Sequence, residues 1–127
     1  MLDMGQIIVY NRTLETHDGE NNFKIFRPSI LSNPYTHIKD KKTLASFVVS
    51  DRDTAIDMYE KYFDLMYGSN MQFTNEVDKI YNKYKSGENV YLECYCKPLR
   101  CHGDIIKEKL ERRLIKEKIQ NRRNKNV

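Results

Sequence analysis

The run from Asn89 to Cys96 passes through Pro98 directly into a helical stripe, and this passage constrains the fold more than any other feature of the chain. Val90, Leu92, Cys94 and Cys96 alternate with Tyr91, Glu93 and Tyr95, which is the period of a strand. Lys97-Pro98-Leu99-Arg100 is a turn, since proline fixes its own backbone angle and cannot continue a ladder. From about Cys101 a helix is predicted, with Ile106, Leu110 and Leu114 on one stripe. A strand that enters a helix over so short a turn is the basic step of α/β architecture.

The rest of the chain agrees. Gln6–Tyr10 is β-branched and reads as a first strand, residues 11–22 as a loop or hairpin turn, and Phe23–Phe26 as a second strand. Pro28 and Asn33-Pro34 break the chain into a long loop over 27–43, a length that often carries function. Phe47–Val49 reads as a short strand or packed loop. Ser50 is the expected N-cap of a helix over 51–67, with Ala55, Ile56, Tyr59, Phe63 and Met66 inward. Phe73, Val77, Ile80, Tyr81 and Tyr84 mark a second helix, closed by Ser86-Gly87. The tyrosine stripes read as core. The order predicts an α/β fold: a short mixed sheet flanked by helices, ending in a long C-terminal helix.

With 127 residues, one domain is expected, over residues 1–119, with 120–127 as a frayed basic tail. No stretch is apolar enough to cross a membrane, and Met1–Gly5 does not resemble a secretory leader. Three cysteines, an odd number, speak against a secreted disulfide framework and for a reducing cytoplasm. Lys, Asn, Ile and Tyr are abundant and Ala is scarce, the bias of an AT-rich genome such as that of a low-GC bacterium or its phage. The net charge is +4, yet residues 107–127 hold nine Lys/Arg against three Glu. That tail suits contact with nucleic acid. It equally suits an ordinary salt-bridged helix, because Glu108, Glu111 and Glu117 interleave with the cations.

All three cysteines fall in Cys94-Tyr95-Cys96-Lys97-Pro98-Leu99-Arg100-Cys101-His102-Gly103-Asp104, at a strand end, a turn and a helix start. Open α/β sheets bind ligands at such places, and a helix N-terminus favours anions. Arg100 adds positive charge. Cys101 is a candidate nucleophile, its thiol expected to ionise more readily at the helix start. His102 is a candidate base, Asp104 a cap, orienting group or ligand contact, and Gly103 a point of close ligand approach. Three readings stand side by side: a ligand or catalytic pocket, a zinc site from Cys94, Cys96, Cys101 and His102, and plain packing at a helix end. No cofactor is expected.

Two segments together resemble the uncharacterised α/β family called domain of unknown function 4326. Its pattern runs Arg-Pro-Ser into Gly-Asn-Pro, then Ser-Arg before a helix with Ala and Tyr, then a strand ending Cys-x-Cys-x-Pro-x-x-Cys-His-Gly-Asp. Here these are Arg27-Pro28-Ser29 through Asn33-Pro34, Asp51-Arg52 before Ala55 and Tyr59, and Cys94 through Asp104. The resemblance covers roughly residues 6–113. The chain departs from the pattern at Ser32 and Phe26, where the family favours glycine. The resemblance implies a small Rossmann-like three-layer domain with a pocket, and no established reaction. It also implies that Arg27, Ser29 and Asn33 face Cys101, His102 and Asp104 across one cleft. Arg27 suits phosphate or carboxylate, and Asn33 a base or sugar hydroxyl.

The expectation is therefore a cytoplasmic domain that binds a small phosphorylated ligand, a nucleotide or nucleotide derivative, between the Arg27–Asn33 loop and the Cys101–Asp104 helix start. It processes that ligand or, in a phage setting, sequesters it. Nucleic-acid binding through the basic C-terminal helix and the zinc site are the alternatives. His17 and His37 are left without a role.

Overall fold

The computed structural model describes residues 5–36 and 47–125. In chain order the elements are β1 (Ile7–Asn11), β2 (Asn22–Lys24), β3 (Tyr35–Thr36), β4 (Phe47–Val48), α1 (Arg52–Met66), α2 (Met71–Lys85), β5 (Val90–Cys94) and α3 (His102–Lys125). The predicted α/β fold with its short sheet and long C-terminal helix is what the chain forms. His37 and the end of the 27–43 loop lie outside the described residues.

β5 lies between β1 and β2 and pairs with both in parallel, with Val9 and Phe23 each opposite Leu92. The sheet is thus parallel rather than mixed. The stretch after β1 is a loop and not a hairpin turn, because a hairpin joins antiparallel neighbours and β1 and β2 run parallel with β5 between them. β3 and β4 form a second, two-stranded parallel pair. Residues Phe47 and Val48 are exposed there.

Strand alternation sorts the main sheet into two faces. Ile7, Phe23, Ile25, Val90, Leu92 and Cys94 join Ile56, Tyr59 and Phe63 of α1, Phe73, Val77 and Ile80 of α2, and Ile106 and Leu110 of α3 in a single core. The helices therefore gather on this face. The other face carries Tyr10, Asn22, Tyr91 and Glu93. Glu93 is buried and accepts hydrogen bonds from Tyr10 Oη and Asn22 Nδ2, at 3.0 and 2.8 Å, with Arg12 at 3.4 Å. Its third layer is the loop after β1, whose His17 stacks on Tyr91 with ring centroids 4.0 Å apart.

The helix ends follow capping chemistry. Asp51, not Ser50, caps α1, its Oδ1 accepting from the Thr54 N–H at 2.7 Å. Asn70 caps α2 in the same way through Phe73. Gly87 ends α2 with a φ of +97°, the left-handed conformation that glycine reaches without penalty. α3 continues as helix to Lys125, where a frayed tail from residue 120 was expected. No helix among the described residues is long and apolar enough to cross a membrane.

Candidate functional site

β5 ends at Cys94, the Lys97–Arg100 turn follows, and α3 begins at His102. The loop after β2 and the start of α1 come up against this corner. Together they enclose a cleft of about 410 Å³. Its walls include Arg27 and Asn33 from the loop, Arg52 from α1, and Cys96, Cys101 and His102 from the corner. The two segments singled out in the sequence therefore do meet. Phe26, Tyr35 and Tyr95 add aromatic surface, with Phe26 and Tyr95 packed edge to face at 5.0 Å. No carboxylate stands among the described lining residues.

The helix start is closed on itself. The Cys101 sulfur accepts from the Gly103 N–H at 3.3 Å, and Asp104 Oδ2 accepts from the Cys101 N–H at 3.0 Å. This is a capping box with a thiol in the place of the usual hydroxyl. Asp104 also pairs with Lys97 Nζ at 2.5 Å. Its carboxylate is thus a cap and an ion-pair partner, and it does not line the cleft. Gly103 is turned towards the sheet: a Cβ there would come within 2.7 Å of Ile25 Cδ1 and 2.8 Å of Val9 Cγ1. Glycine is needed for packing rather than for ligand approach. These N–H groups and the carboxylate thus already satisfy one another.

His102 is buried, and its Nε2 lies 2.7 Å from the Ile25 carbonyl oxygen. A carbonyl can only accept, so Nε2 carries the proton. Nδ1 is then the acceptor, 3.8 Å from the Cys101 sulfur. Burial pulls the imidazole down to about 4, so it is neutral at physiological pH. The ring packs edge-on against Tyr59 at 4.9 Å.

Arg27 donates from Nε to the Asn33 carbonyl at 3.0 Å and from Nη2 to the Tyr35 carbonyl at 3.2 Å. It fastens the loop while facing the cleft. Asn33 is buried; its Nδ2 donates to the Ala55 carbonyl and its Oδ1 accepts from the Tyr35 N–H. It ties the loop to α1. Ser29 lies away from the cleft, in a shallower hollow beside β2, with its hydroxyl accepting from the Leu31 N–H. Arg100 lines the rim and pairs with Asp57 at 2.9 Å and Asp53 at 3.2 Å. Arg52 was not among the residues assigned to the site. The signal for it was the Arg of the Ser-Arg pattern before the helix, read here as Asp51-Arg52.

The three cysteines are free and lie together. All three line the cleft, near enough for Cys101 to act on the charge of both Cys94 and Cys96. Hydrogen bonding and burial push Cys101 up, opposite to the direction expected at a helix start, and it stays a thiol. Cys96 is pulled down to about 6 by the hydrogen bond from Cys101, against burial and with help from the guanidiniums of Arg52 and Arg27. Cys94 is likewise pulled down to about 6 by its interaction with Cys101, but it faces no arginine and is only 1% exposed. The two guanidiniums act on Cys96 and not on Cys94, so they favour a negative charge on Cys96 over one on Cys94. Among the described residues no three or more His, Cys, Asp or Glu side chains are placed to hold a metal ion.

A model of one family, described as a domain of unknown function (DUF4326), matches residues 8–112. No curated protein and no solved structure matches the chain. The matched span contains every lining residue named above.

Proposed function

We propose, for a chain that belongs to the domain of unknown function 4326 family, that the cleft binds a small phosphorylated ligand, a nucleotide or nucleotide derivative, and releases it unchanged. The observation that supports this reading is three arginines, Arg27, Arg52 and Arg100, around a cleft whose described lining holds no carboxylate. Guanidinium matches phosphate in geometry as well as charge. Phe26, Tyr35 and Tyr95 offer faces for a base, and about 410 Å³ lies within the range of small-ligand sites. The Rossmann-like kinship suggested by the sequence belongs with this reading. Release without reaction is supported by the commitments of the polar side chains. His102 is spent on Ile25, Asp104 on the cap, and Cys101 is protonated. No group set as nucleophile, base and orienter emerges from those three.

The test is mass spectrometry of small molecules released from purified, heat-denatured protein, followed by titration with nucleoside mono-, di- and triphosphates and inorganic phosphate. A nucleotide that binds, loses affinity at least tenfold in Arg52→Ala, and is recovered intact supports the reading. Binding that is unaffected by Arg52→Ala, or recovery of a cleaved product, overturns it.

A second reading, nucleic-acid binding, is favoured by one observation. α3 runs on past Leu114, its last buried residue, and Lys116, Lys118, Arg122 and Arg123 there are exposed with no ion pair among the described residues. Removing residues 116–127 would then lower affinity for DNA or RNA and flatten its salt dependence. Absence of binding by the full chain at low salt removes this reading.

A further inference from the structure

We propose that Cys96 and Cys101 form a peroxide-sensitive thiol pair, in which hydrogen peroxide oxidises Cys96 and Cys101 resolves it as an intramolecular disulfide across the floor of the cleft. The proposal does not depend on the nucleotide reading. It rests on three features of the corner after β5.

The first is access. Cys96 is half-buried and lines the cleft, whereas Cys94 and Cys101 are each 1% exposed. A small oxidant entering the cleft meets Cys96. The second is environment. Arg52 and Arg27 line the same cleft as Cys96, and their guanidiniums favour its charge. Cationic, partly open surroundings make a cysteine reactive, while buried apolar ones leave it inert. The third is a partner at hand. Cys101 lines the same cleft as Cys96 just across the Lys97–Arg100 turn, near enough for the two side chains to act on each other's charge.

The chemistry balances. The Cys96 thiolate attacks one peroxide oxygen, the O–O bond breaks, and hydroxide leaves and takes a proton to become water. Cys96 is then a sulfenic acid, oxidised by two electrons. The Cys101 sulfur gives up its proton and attacks Cys96, displacing a second hydroxide that leaves as water with that proton. One peroxide is reduced to two waters, and two thiols become one disulfide.

Trypsin makes the outcome readable. Cleavage follows Lys85, Arg100 and Lys107 but not Lys97, which precedes proline. Cys94 and Cys96 therefore lie on peptide 86–100 and Cys101 on peptide 101–107. The full chain is treated with hydrogen peroxide, its remaining thiols are blocked, and the digest is analysed without reduction. The expected result is a linked 86–100/101–107 species in the wild type and in Cys94→Ser. The link should be absent in Cys96→Ser, and dimedone should trap a sulfenic acid at Cys96 in Cys101→Ser. Two outcomes overturn the proposal. One is a link that persists in Cys96→Ser, which would assign it to Cys94. The other is over-oxidation of Cys96 in the wild type with the two peptides unlinked.

Discussion

The Nε2–H of His102 donates to the carbonyl oxygen of Ile25 across 2.7 Å, joining the first turn of α3 to the end of the second strand. This bond fixes the tautomer and requires a neutral ring. Burial holds the folded-state pKa at about 4, against an ordinary value of 6.5. The unfolded chain therefore binds this proton more readily. Stability is fully present above about pH 6.5 and is lost as the pH falls towards 4, by on the order of 3 kcal/mol from this group. Urea melts of wild type and His102→Gln at pH 7 and pH 4.5 check this. Glutamine can keep the donor at a similar position without gaining a proton, so its stability should fall less between the two pH values. An equal fall in both would assign the acid sensitivity to other groups.

Arg27 and Arg52 both face the cleft, yet their ties to the fold differ. Arg27 donates to two loop carbonyls; removing it leaves them without a partner, at a cost of roughly 1–3 kcal/mol. Arg52 stands in the first turn of α1 and lines the cleft together with Cys96, whose charge it favours. Arg27→Ala should thus lower both melting temperature and phosphate-ligand affinity, while Arg52→Ala lowers affinity with a far smaller change in melting. Thermal melts with and without ligand separate the two. A silent Arg27→Ala melt would mean that its loop is held by other contacts.

The corner after β5 was legible because its local signals agree: alternation up to Cys96, a proline turn, then an apolar stripe through Ile106 and Leu110. The partnership of Arg27 with Cys101 and His102 is not local, and it was reached through the family resemblance alone. The misplaced residues have a geometric cause. Successive helical residues point about 100° apart, so Gly103 and Asp104 turn away from the cleft that His102 and Cys101 line. Ser29 likewise sits on the far side of its own turn. The insertion of β5 between β1 and β2 leaves no trace in any single segment. Strands of two residues, such as Tyr35–Thr36, are too short for a period to show. Arg52 carries no local signal for the cleft, because a cation in the first turn of a helix stands on no apolar stripe and its neighbours across the cleft come from distant segments.

Gly103 offers a test of the packing account. An added Cβ would sit under 3.0 Å from both Ile25 Cδ1 and Val9 Cγ1. The better helix propensity of alanine, worth about 1 kcal/mol, offsets part of that strain. Gly103→Ala should still destabilise the fold, by about 1–2 kcal/mol net, and Gly103→Val by more. Paired Gly103→Ala, Val9→Ala should recover part of the loss, because the methyl it meets on Val9 is gone. Denaturant midpoints of the three variants measure this. No recovery in the double variant would show that the strain lies elsewhere.

Cys96 is expected to be the first cysteine to react with iodoacetamide, and the pH dependence of that reaction carries the argument. Only the thiolate attacks. The hydrogen bond from Cys101 and the charges of Arg52 and Arg27 hold Cys96 at about 6. The alkylation rate at Cys96 should therefore rise with pH to a plateau, with its midpoint near 6. Removing one close cation characteristically moves a neighbouring pKa by a unit or more. The midpoint in Arg52→Ala should climb accordingly, and alkylation at pH 6 should slow by several-fold. Cys101→Ser keeps a hydrogen-bond donor at that position and should move the midpoint less than Cys101→Ala does. Peptide-resolved mass spectrometry of timed reactions gives each rate by residue. A Cys96 midpoint near 9 in the wild type, or one unmoved by Arg52→Ala, would show that the arginines at the cleft do not act on this sulfur. The anion-binding reading would then lose the guanidinium on which its own test depends.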